Sequence, residues 1–70
     1  MDLYEVATLS VQQDGTLGWS TTCWLASQAD ADFIAKAYVT RIDRVFHAAH
    51  VWHRGMIVGD YRRDERGDRP

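Results

Sequence analysis

Seventy residues with one cysteine and one proline leave room for a single small core and for no intramolecular disulfide. The net charge of −2 hides a split: residues 1–35 hold five acids and no Lys or Arg, whereas residues 36–70 hold eight basic residues against five acids. With no apolar run long enough to span a bilayer and no basic-then-apolar leader, the expectation is a soluble cytoplasmic protein without a membrane partner.

A domain this small buries a modest share of its surface, so close packing and self-association are expected to supply its stability. Residues 3–13, LYEVATLSVQQ, read as a strand. Asp14-Gly15 marks a turn, and Leu17 to Ala26 reads as the antiparallel partner. A loop of Asp14 to Thr16 pairs Val11 with Trp19, Leu9 with Thr21 and Ala7 with Cys23. That register gathers Leu3, Ala7, Leu9, Val11, Leu17, Trp19, Cys23 and Leu25 on one face, to be covered by a helix. Tyr4, Val6 and Trp24 then project from the other face, with Val6 across from Trp24. An open sheet face is normally polar, as Thr8, Ser10, Ser20 and Thr22 would make it, so these three residues mark a contact surface.

Ser27 to Ile42, SQADADFIAKAYVTRI, reads as the central helix. Ser27 and Asp30 have capping-box spacing, and Asp30 and Asp32 sit in the first turn, where the helix dipole favours acids. Arg41 and Arg44 fall at or just past the last turn, and Asp32 and Lys36 are spaced as an ion pair, acid first. Ala31, Ile34, Ala35, Tyr38 and Ile42 form an apolar stripe, and Phe33 points the opposite way. The run from Arg44 to His53 has two readings. It continues the stripe through Val45, Ala49 and Trp52 to a cap at Gly55, or it is a strand rich in Val45, Phe46, Val51 and Trp52. A break at His53–Gly55 followed by Met56-Ile57-Val58 favours the strand and a second hairpin. One face of that hairpin would add either Phe46, His50 and Trp52 or His47 and His53 to the open surface. Residues 62–70 are almost wholly charged and read as a disordered tail after a domain spanning 1–61. The Arg66-Gly67-Asp68 tripeptide in that tail matches cell-adhesion ligands at the level of chance.

The chemistry-bearing residues are few. His47, His50 and His53 recur every third position, but on a strand they lie too far apart to hold one ion, and Cys23 is on another strand. No metal site and no cofactor are expected. Cys23 faces the core in this register, no phosphate-cradling glycine pattern occurs, and so small a domain has little room for a closed pocket. The chain reads as non-catalytic. Arg41, Arg44, Arg54, Arg62 and Arg63 with Phe46 and Trp52 give a faint nucleic-acid pattern, which the acidic first half disfavours.

In size and in the order hairpin, helix, strands, the chain resembles small phage-encoded inhibitors, some anti-CRISPR proteins among them. The resemblance carries no residue and implies a stoichiometric binder that blocks a surface. The expectation is therefore an α+β domain, one amphipathic helix on an antiparallel sheet of about four strands in the order β-β-α-β-β. Its expected function is protein binding through Tyr4, Val6, Trp24 and Trp52, as a homodimer, with nucleic-acid binding as the alternative.

Overall fold

The computed structural model describes residues 2–40 and 46–63. It contains β1 (Tyr4–Val11), β2 (Leu17–Leu25), α1 (Gln28–Thr40), β3 (Phe46–His53) and β4 (Met56–Arg62). The strands form one antiparallel sheet in the order β2-β1-β3-β4, with α1 packed on one face. The thinnest dimension is 18 Å, the depth of one helix layer on one sheet layer.

The helix starts where its capping signal lies. Asp30 N–H donates to Ser27 Oγ at 3.1 Å, and Ala31 N–H donates to Ser27 C=O at 3.1 Å. In the last turn Thr40 Oγ1 donates to Lys36 C=O at 2.8 Å. Arg41, Ile42 and Arg44 lie outside the described residues. Of the expected stripe, Ala31 and Ala35 are buried, Ile34 and Tyr38 are partly buried, and Val39 completes the inner face. Phe33 is exposed, as its position on the helical wheel requires. Opposite the helix stand Val6, Ala49 and Val51, so nearly every buried side chain is small and the helix lies close to the sheet.

That closeness shows at Gly59. A Cβ there would sit 2.8 Å from Asp32 Oδ1 and 3.2 Å from Val51 Cβ. Asp32, spaced to pair with Lys36, has its Oδ1 buried at this contact with no hydrogen-bond partner. The phenol of neighbouring Tyr61 is pushed above its ordinary value, first by burial and then by the nearby Asp32 carboxylate.

The first hairpin closes one residue earlier than expected, around Gln13-Asp14-Gly15. Gly15 N–H donates to Gln12 C=O at 3.0 Å, and Gly15 takes a φ of +90°, the left-handed position of a three-residue hairpin loop. Thr16 donates to Asp14 Oδ1 from both N–H (3.0 Å) and Oγ1 (2.7 Å), and these bonds hold the Asp14 carboxyl below its ordinary value. Leu9 consequently pairs with Trp19 and Ala7 with Thr21. Moving the pairing by two residues keeps the same faces. What changes them is a bulge: Ala7 pairs with Thr21 but Val6 pairs with Cys23, so Thr22 is an extra residue on β2. Cys23 and Leu25 thereby join Tyr4 and Val6 on the helix side, while Trp24 faces away.

This corrects the expected faces. Val6 is 0% exposed beneath α1, and it stands across from Cys23 instead of Trp24. Ala7, Leu9 and Trp19, expected under the helix, point to the open side. The physical reason is that β1 is an interior strand: the helix covers its even-numbered residues, where Val6 meets Val51 and Thr8 meets Ala49.

Residues 46–53 form a strand, not a helical extension. Arg54 (φ 54°) and Gly55 (φ 78°) make the two-residue turn, with His53 paired to Met56. Both central residues have positive φ, the type I′ geometry that follows the twist of paired strands. The sheet keeps Arg62 and Arg63 beyond the expected domain boundary at 61: Arg62 pairs with Ala48, and Arg63 N–H donates to His47 C=O at 2.9 Å. The rest of the charged segment, 64–70, lies outside the described residues.

Candidate docking surface

The face away from α1 is built from three rows that cross all four strands. The first row is Trp24, Glu5, Trp52, Ile57; the second is Thr21, Ala7, His50, Asp60; the third is Trp19, Leu9, Ala48, Arg62. Each row follows from pairing register and pleat alone, since directly opposed residues project to the same side.

Small residues in the middle shape this face. Ala7 and Ala48 leave space for Trp19 to lie across the sheet and stack on His50, with ring centroids 4.1 Å apart and planes 18° from parallel. Trp52 meets the same imidazole edge-on, at 6.3 Å and 70°. His50 Nε2 lies 3.4 Å from Asp60 Oδ1, and Arg62 Nε is 3.4 Å from the same oxygen. Glu5 accepts a hydrogen bond from Thr21 Oγ1 and stands between Trp24 and Trp52. Together Glu5, Ala7, Trp19, Thr21, His50 and Trp52 line an open depression of about 400 Å3.

Of the four residues Tyr4, Val6, Trp24 and Trp52, the last two lie on the open face of the sheet. Trp24 is 56% exposed, and Trp52 is partly buried against His50. Tyr4 is on the helix side, packed against the core and stacked on His53 with centroids 4.0 Å apart. Val6 is core. Trp19, 45% exposed, is the residue that sequence reasoning missed. Trp19 and Trp24 are five positions apart, an odd spacing that a regular strand sends to opposite faces. Only the extra residue at Thr22 brings both indoles to one side.

The three histidines are dispersed. His50 is on the open face, His53 is on the helix side with Nδ1 3.3 Å from Leu3 C=O, and His47 is the extra residue of the bulge between β1 and β3. Among the described residues no three of His, Cys, Asp and Glu converge as a metal site. The arginines considered for nucleic acid are scattered too. Arg54 pairs with Asp2 at 2.8 Å near the second turn, and Arg63 Nε donates to Phe46 C=O at 2.9 Å. Phe46 itself packs edge-on against Tyr38 on the helix side. No helix among the described residues is long and apolar enough to cross a membrane. Compared with known protein families, curated proteins and solved structures, the chain matches none.

Proposed function

We propose that this chain is a non-catalytic binding module that docks a protein partner on the open face of its sheet. The observation that carries this reading is the presence of Trp19, Trp24 and Trp52 on one solvent-facing surface, with Trp24 and Trp52 flanking Glu5. Exposed indoles on a flat rigid sheet are the anchors that protein interfaces favour. Glu5, flanked by Trp24 and Trp52, favours a partner that presents an Arg or Lys among apolar groups. The cation would rest against indole faces and pair with the carboxylate. Glu5 and Asp60 on the same face oppose a phosphate backbone, which sets a protein partner ahead of a nucleic acid. The surface-blocking inhibitor role suggested by size and element order is the fuller form of this reading: a binder that works by occupying its target.

The test compares affinity capture by the wild-type chain with capture by a Trp24→Ala/Trp52→Ala variant. A partner held by the former and lost by the latter, with unchanged far-UV circular dichroism, is the expected result. Equal capture by both would place the contact elsewhere.

A further inference from the structure

The two edges of the sheet differ. The β4 edge carries Asp60 and Arg62 and is broken by an extra residue at Val58. These are the devices by which an edge strand resists pairing. β2 has no such charges: from Gly15 to Ala29 the chain contains no Asp, Glu, Lys, Arg or Pro. Among the described residues its only strand neighbour is β1, so its other edge offers unpaired backbone groups over Leu17–Leu25.

The sequence of this edge is also close to a palindrome. Trp19-Ser20-Thr21 is followed by Thr22-Cys23-Trp24, and Leu17 and Leu25 lie at the two ends of β2. In a regular strand the palindrome would fail, because an odd spacing would send the two indoles to opposite faces. The extra residue at Thr22 restores it, since Trp19 and Trp24 both face the open side while Ser20 and Cys23 both face the helix side. We infer that β2 pairs antiparallel with β2 of a second copy, about a two-fold axis between Thr21 and Thr22.

In this register Trp19 lies across from Trp24 of the second copy, Ser20 across from Cys23, and Gly18 across from Leu25. The two bulges meet at the axis, so residue counts match on both strands and the ladders on either side stay in step. On the open face Trp19 stays stacked on His50 of its own copy, so the faces of the two strands agree without any indole having to move, and no charge opposes another across the axis. The product is one eight-stranded sheet whose outer edges are both β4. Assembly therefore closes at two copies instead of growing into a filament. The inference is independent of which partner the open face takes, although it would double the aromatic platform.

Sedimentation equilibrium at about 100 µM protein, where even a micromolar Kd populates the complex, should give twice the monomer mass. Thr21→Lys places an ammonium beside Glu5 within each copy but sets two ammoniums together at the axis, so this variant should sediment as a monomer with an unchanged circular dichroism spectrum. Ser20→Cys, treated with oxidised glutathione as the electron acceptor, should form a covalent dimer in which the new thiol is linked to Cys23 of the other copy. Peptide mapping would read that linkage, and the wild type should not form it. A monomeric wild type at that concentration would overturn the inference. So would a dimer in which the Ser20→Cys thiol fails to couple to Cys23, because the contact would then be elsewhere.

Discussion

Val6 and Trp24 lie on opposite faces of one sheet: Val6 is 0% exposed under the helix, and Trp24 is 56% exposed on the far side. The bulge at Thr22 separates them, and it divides the molecule into a side packed under the helix and a side open to solvent. Truncating each residue should therefore read very differently. Val6→Ala removes two buried methyl groups and should cost about 2–3 kcal/mol in chemical denaturation. Trp24→Ala should stay within about 0.5 kcal/mol of wild type. A large loss for Trp24→Ala would mean that its ring supports the fold.

Ser27 holds the first turn of α1 through its bond to Asp30 N–H. Ser27→Ala strands that donor and should destabilise the domain by about 1 kcal/mol, whereas Ser27→Asp should hold stability near wild type. Equal losses in the two variants, read from urea midpoints, would show that the hydroxyl is not the cap.

Arg54 is the only described non-glycine residue with positive φ. Its ion pair with Asp2 joins two largely exposed side chains and contributes little, whereas the left-handed backbone costs an ordinary L-residue about 1 kcal/mol. Arg54→Asn supplies the Asn-Gly pair that type I′ turns prefer and should raise the melting temperature by a few degrees.

Gly59 is required by what surrounds it. In Gly59→Ala the new methyl would press on Asp32 Oδ1 and Val51 Cβ, and Val51 is held in the core. The expected cost is about 1–3 kcal/mol, seen as an earlier denaturation midpoint at unchanged slope.

Tyr61 supplies a pH dependence. Burial and the neighbouring Asp32 carboxylate raise its folded-state value above the ordinary 10.0, so above that pH the native state holds a proton that the unfolded chain has released. The contribution is complete below about pH 10 and is lost as pH rises through the folded value. Stability measured between about pH 9 and 11 should fall less steeply in Tyr61→Phe than in wild type; identical slopes would remove Tyr61 from the account.

Much of the fold was legible in the residues. The cap at Ser27, the stripe through Ala31 and Ala35, the two turns and the order of elements follow from local chemistry, because each signal sits within a few residues of what it specifies. The faces of β1 were not legible. An interior strand carries apolar residues on both sides, so alternation alone cannot say which set meets the helix. That decision rests on long-range pairing: Val6 with Val51, Thr8 with Ala49, and the extra residue at Thr22. Trp24 faces the open side as expected, but across from Glu5 instead of Val6, and the pairing of Glu5 with Trp52 decides which face of the second hairpin joins it. Tyr4 goes with Val6 to the helix side because one parity error carries every second residue with it.

Thr22 also shapes how this segment can change over generations. Deleting it while keeping the ends of β2 paired would leave Cys23 across from Val6 and Trp24 across from Glu5, and would only straighten the strand. Substitutions along β2 test one side chain at a time. The loss of a single residue here is absorbed without exchanging inside for outside, so related chains should accept a β2 shorter by one more readily than one made longer.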